Sequence, residues 1–223
     1  LMLHIFKYLF FVIIFFVFTN AHSIETDWSS GVESKVRIIS PITNNNNQKE
    51  FFLGLEYQLQ DGWKTYWQSP GDGGFPQEIN WSKSKNIKNL ELQWPVPKRF
   101  EILGMQSIGY TNNVIFPLKI ELQNELNNSE VILDINYLVC KDICIPGNAH
   151  LELTIPSGET TITQHFFSIE KALSNLPEKS LELSFLQDTN TKFYSSKDFI
   201  FIDYSATSKL FFTNPSIFLH TKY

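Results

Sequence analysis

The chain has 223 residues, a formal net charge of −5, and 18 Lys and Arg that are scattered rather than clustered. A scattered basic complement argues against nucleic acid as a partner. Twenty Phe, eight Tyr and five Trp favour strands over helices, and only two Cys are present.

Residues 1–23 read as an export leader. His4 and Lys7 stand near the start, Tyr8 to Phe18 is an unbroken apolar run, and Thr19-Asn20-Ala21 or Ala21-His22-Ser23 offers small residues for cleavage. The run is shorter than the roughly 20 apolar residues of a membrane span. A cleaved leader and a periplasmic product are therefore expected, with an uncleaved membrane anchor as the alternative. Removal of the leader leaves about 200 residues, enough for one large or two small domains.

From Val32 to Ile155 the dominant period is two, the mark of half-buried strands. Leu53, Leu55, Tyr57 and Leu59 alternate with Gly54, Glu56 and Gln58, and Val114 to Leu122, Val131 to Val139 and Leu151 to Ile155 repeat the pattern. Shorter candidates are Val32 to Ser40, Trp63 to Trp67 and Leu90 to Trp94. Turn chemistry separates them at Asn44 to Asn47, Ser69 to Gly74, Pro95-Val96-Pro97 and Asn124 to Ser129. This order predicts an all-β fold, an immunoglobulin-like antiparallel β-sandwich over residues 24–160. Pro146 and Gly147 are expected to close the turn after Cys144.

After Pro156 the period changes. Phe166, Ile169, Leu173 and Leu176 share one face, so a short amphipathic helix is expected over about Thr163 to Leu176, within a 161–178 linker ended by Pro177. Leu181 to Phe185, Phe199 to Ile202 and Leu210 to Phe212 then read as strands of an incomplete second β-rich segment, residues 179–223. That segment is short for an independent sandwich.

The two cysteines stand four residues apart in Cys140-Lys141-Asp142-Ile143-Cys144, at the tip between two predicted strands. An exported chain meets an oxidising compartment, so a bridge is expected. By the chain-entropy relation a ring of about five residues yields roughly 2 kcal/mol, against about 3 for one of about fifteen. Stability is a weak reason to place a bridge here, and strained or exposed bridges are the readily reduced ones. A redox pair and a purely structural bridge both fit this spacing. Lys141 would favour a neighbouring thiolate and Asp142 oppose it, so the two sulfurs are not ranked.

Competing chemistries are thinner. Cys140, Cys144 and His150 form a C-x3-C-x5-H set with the ligand types of a copper or zinc site, but a lone His in an alternating strand is more often a surface residue. No His stands in a nucleophile–base setting. Gly71-Asp72-Gly73-Gly74 lacks the Lys and the strand-to-helix context of a phosphate loop and reads as a turn. Trp63, Tyr66, Trp67, Trp81 and Trp94 fit core packing better than a ligand groove.

A family resemblance rests on an ordered set of motifs: Gly62 to Gly74 (GWKTYWQSPGDGG), Trp94 to Phe100 (WPVPKRF), Gly109-Tyr110, Phe116-Pro117, and YLVCKDICIP from Tyr137 to Pro146. Together they resemble the N-terminal periplasmic domain of DsbD-type thiol:disulfide interchange proteins, in the variant linked to suppression of copper sensitivity. The likeness covers about Ser30 to Leu176. It implies a module without cofactor or metal that takes electrons from a membrane-embedded or thioredoxin-like donor and passes them to oxidised periplasmic proteins. Cys140 and Cys144 match the family's redox pair. Phe100, Ile102 and Leu103 fall where the family carries a cap loop over its cysteines, although Ile102 and Leu103 replace aromatics; the alternative is a hydrophobic turn on the sandwich edge. The resemblance does not extend to the membrane section or the thioredoxin-like domain of full-length members, so a fragment or one product of a split gene is expected.

Overall fold

The computed structural model describes residues 24–102, 104–177, 186–197, 200–211 and 218. The predicted leader and the candidate strand Leu181 to Phe185 lie outside these residues. The chain divides into two compact units, one ending at Leu176 and the other beginning at Pro177.

Two antiparallel sheets build the first unit. One holds β1 (Ser34–Ile39), β2 (Glu50–Leu59), β8 (Asn113–Leu122) and β5 (Ile87–Leu92), in the order β1-β2-β8-β5. The other runs β10-β9-β3-β7-β6, from β10 (Cys144–Ile155) and β9 (Ser129–Cys140) through β3 (Lys64–Gly71) to β7 (Met105–Thr111) and β6 (Lys98–Ile102). The short β4 (Glu78–Asn80) also pairs with β9. The alternation read from the sequence faces inward as expected. Leu53, Leu55, Phe116, Leu118, Val131 and Leu133 are all fully buried. At the centre Phe116 meets the rings of Tyr57, Tyr110 and Trp94 edge-on, with centroids 4.9 to 5.5 Å apart. The unit is an immunoglobulin-like β-sandwich.

The helix α1 (Phe166–Ser174) is shorter than expected at its start and buries Ile169 and Ala172. Thr163 is drawn into the sandwich edge instead: its N–H donates to the Pro41 carbonyl at 2.9 Å and its hydroxyl to the Ser40 carbonyl. Pro146 and Gly147 also depart from expectation, since both lie inside β10 opposite Leu138 and Tyr137. β10 is the outer strand of its sheet, where a proline's missing N–H costs no ladder bond. Gly147 makes room for the Tyr137 ring, because a Cβ there would lie 2.4 Å from Tyr137 Cζ.

The second unit contains a two-stranded ribbon, β11 (Leu186–Ser195) against β12 (Ile200–Ser208), with a bulge between Gln187 and Asn190. Leu210 and Phe211 follow it outside any strand. No helix among the described residues is long and apolar enough to cross a membrane.

Candidate functional site

β9 and β10 are consecutive arms of one hairpin, and its register sets Cys140 opposite Cys144. Their Cα atoms are 4.1 Å apart and the sulfurs are bonded at 2.10 Å. The three residues between them are exposed, Ile143 at 61 %. Lys141 ties this turn down: its N–H donates to the Ile143 carbonyl at 3.0 Å, and its ammonium reaches the Asp61 carbonyl at 3.4 Å.

The two cysteines have unlike surroundings. Cys140 is fully buried, whereas Cys144 is exposed at the start of the outer strand. Cys140 forms a cluster with Tyr66 and Ile102, and Phe100 and Leu138 pack against it. The Tyr66 hydroxyl donates to Cys140 Sγ at 2.9 Å and lies 3.9 Å from Cys144 Sγ. Burial raises the Tyr66 pKa above its ordinary value, so at neutral pH this phenol stays a donor. A donor aimed at a sulfur favours its thiolate form. The geometry therefore distinguishes the sulfurs, one exposed and the other buried beneath a phenolic donor.

Tyr66 reaches the disulfide because β3 changes partners. β3 pairs with β9 only at Lys64 and Thr65, opposite Cys140 and Val139, and β4 takes over further along β9. Against β7 the register jumps from Tyr66 opposite Gly109 to Gly71 opposite Ser107. The chain thus leaves the ladder immediately after Tyr66.

Two of the candidate cap residues, Phe100 and Ile102, lie on β6. β6 and β7 pair from Lys98 opposite Gly109 to Ile102 opposite Met105. Ile102, 2 % exposed, packs on Tyr66 and Cys140, and the Phe100 ring lies 6.4 Å from that of Tyr66. The ammonium of Lys64 sits over the Phe100 ring, 5.7 Å from its centroid. Leu103 lies outside the described residues. Tyr66 is the residue that sequence reasoning passed over as one core aromatic among five; its signal was its place in the Gly62 to Gly74 motif.

His150 does not join the cysteines. His150 lies six steps along β10 from Cys144, with five residues between them, about 20 Å at roughly 3.3 Å per step. Both of its ring nitrogens are engaged, Nδ1 with Asp134 at 2.6 Å and Nε2 with Glu152 at 2.9 Å. The C-x3-C-x5-H set therefore does not converge on one point.

These features define a class: an immunoglobulin-like sandwich carrying a disulfide at the tip of one hairpin, its inner sulfur covered by a second hairpin. The chain belongs to the family described as thiol:disulfide interchange protein DsbD, N-terminal, whose pattern matches residues 35–156. Among solved structures it is similar to the N-terminal periplasmic domain of ScsB from Proteus mirabilis, with a TM-score of 0.61 and 24 % identity over 76 % of this chain. It spans 65 % of that chain. A looser likeness, with a TM-score of 0.30 and 14 % identity, links 65 % of this chain to 92 % of the reduced Neisseria meningitidis DsbD N-terminal domain. No curated protein matches the chain in sequence.

Proposed function

We propose that the chain is a periplasmic thiol–disulfide exchange module that relays reducing equivalents through Cys140 and Cys144. Its expected partners are a membrane-embedded or thioredoxin-like donor and oxidised exported proteins. The observation that carries this reading is the inequality of the two sulfurs under a phenolic donor. Family membership supports it.

The steps follow from exchange chemistry. A thiolate of a reduced dithiol partner attacks Cys144 Sγ. The Cys140–Cys144 bond breaks, and its electron pair goes to Cys140 Sγ, which leaves as a thiolate held by the Tyr66 hydroxyl. A new bond joins Cys144 to the partner. The partner's second thiolate then attacks its own bonded sulfur and expels Cys144. The partner ends as a disulfide, and the module, having gained two electrons and two protons, ends as a dithiol. The reverse sequence passes those electrons to an oxidised protein. The β6–β7 hairpin covers the inner sulfur, so an incoming thiolate meets the exposed Cys144 first.

The test is the reduction potential of the Cys140–Cys144 couple, read by counting alkylated thiols after equilibration in glutathione or dithiothreitol buffers. A value of roughly −120 to −270 mV is expected, the range of exchanging redox proteins. A value well below about −300 mV would mark a structural bridge and end this reading.

A further inference from the structure

The glycine-rich loop after β3 touches both halves of the site. On one side it grips the root of the β6–β7 hairpin. Asp72 N–H donates to the Gln106 carbonyl at 2.9 Å, and Gln106 N–H donates back to Asp72 Oδ2 at 3.2 Å. Gly71, at φ +92°, follows that strand so closely that a Cβ would lie 2.5 Å from the Gln106 oxygen. The Met105 thioether rests on Gly73, where a Cβ would come within 2.9 Å of its Sδ. On the other side, Gly74, at φ +91°, lies against the Tyr66 ring, and a Cβ there would fall 2.2 Å from Tyr66 Cζ. One four-residue loop thus holds the covering hairpin by backbone pairing and the sulfur's donor by ring contact.

We propose that Asp72 and Gly74 are positioning residues for thiol exchange, forming a clasp that couples the closed β6–β7 hairpin to the Tyr66 hydroxyl on Cys140. This rests on the exchange reading above and adds a mechanism to it. With the hairpin seated, Asp72 fixes the loop and Gly74 fixes the ring, so the phenol stays on the sulfur that must leave. When a partner lifts the hairpin, the Asp72–Gln106 pair opens and the ring loses its backing. The donor is then free to shift as the sulfurs separate. The phosphate-loop likeness of Gly71 to Gly74 has another source: positive φ together with close contact to the Gln106 carbonyl and the Tyr66 ring calls for glycine at 71 and 74.

Rates of disulfide reduction by dithiothreitol in the full chain test the coupling, with Gly74→Ala placed in the parent and in Tyr66→Phe. Removing one hydrogen bond to a charged sulfur is worth about tenfold in rate. Gly74→Ala should slow reduction by about that factor in the parent and change it less than about twofold when Tyr66 is already Phe. Asp72→Ala should slow reduction several-fold by letting the loop and the Tyr66 ring drift, with less effect when Tyr66 is already Phe, and Asp72→Asn, which keeps an acceptor oxygen, should restore most of the parent rate. Equal effects of Gly74→Ala in both backgrounds, or no effect of Asp72→Ala, would overturn the clasp. Should Gly74→Ala fail to fold, the Asp72→Ala and Asp72→Asn pair decides alone. Dithiothreitol in large excess drives the bridge open well beyond the range of exchanging proteins, so a structural bridge with a coupled clasp and an exchanging bridge without one give different results.

Discussion

The β9–β10 and β11–β12 hairpins are built by the same antiparallel pairing and differ in what covers them. In the first, Val131, Leu133, Ile135, Tyr137 and Val139 face the core with Ala149, Leu151, Leu153 and Ile155, none more than 8 % exposed. In the second, Phe193 and Ile200 are exposed at 70 % and 77 %, and their neighbours Ile202 and Tyr204 at 41 % and 42 %. Backbone pairing alone leaves a two-stranded ribbon marginal in water. The covered hairpin is also the one that carries the disulfide. Exchange chemistry at its tip needs one sulfur held still beneath a donor, and only a hairpin with a packed inner face offers that.

The comparison can be broken with two substitutions. Leu133→Ala should cost about 2 to 5 kcal/mol of unfolding free energy, since it leaves a cavity in a sealed core. Phe193→Ala should change it by less than about 0.5 kcal/mol. Urea unfolding of both variants gives the two numbers directly. Similar losses would mean that the ribbon face is covered in the working protein, and the contrast would collapse. A smaller loss sharpens the picture near the site. Gly147→Ala forces a Cβ into the Tyr137 ring, whose hydroxyl is hydrogen-bonded to Ser34 Oγ at 3.0 Å. Overpacking of this kind costs about 1 to 3 kcal/mol. Its thermal unfolding should therefore fall between those of the first two variants.

Much of the sandwich was legible because alternation survives wherever one strand face is buried, as in β2, β8 and β9. The β6–β7 hairpin was not. Lys98-Arg99-Phe100-Glu101-Ile102 places a charge at three of its five positions, and β7 opens with Met105-Gln106-Ser107, so neither strand shows a clean period. Its pairing is imposed by the sheet. β10 was read too short because Pro146 and Gly147 look like turn residues, although an outer strand accepts the first and the Tyr137 ring requires the second. The cysteine pair was legible from spacing and motif. Tyr66 was hidden because its role depends on β3 leaving β9 after Thr65, a change of partner that no local pattern encodes. The inequality of the sulfurs was likewise invisible, since Lys141 and Asp142 oppose each other while burial, which decides, comes from Ile102 on a distant strand.

The same β9–β10 hairpin carries a second contrast along its length, between the apolar cover at Cys140 and a charged outer face further from the tip. There His150 lies between Asp134 and Glu152, and Lys83 meets Asp134 at 3.0 Å. The hydrogen bond to Asp134, then that to Glu152, raises the His150 pKa above the usual 6.5. The same His150 contact, followed by Lys83, lowers that of Asp134 below 3.8. A raised histidine contributes stability that is complete below its unfolded pKa and is lost as pH rises through the folded value. The depressed carboxyl acts in the opposite sense and loses its contribution as pH falls through its own lowered value. Between these limits both partners are charged. His150→Gln should therefore lower the urea midpoint at about pH 5.5 and leave it nearly unchanged at about pH 9. These groups are exposed, so the effect is smaller than those of Leu133→Ala and Gly147→Ala, and added salt should shrink it further. A midpoint difference that persists at the higher pH would assign His150 a packing role instead, and the outer face of the hairpin would then be held by more than charge.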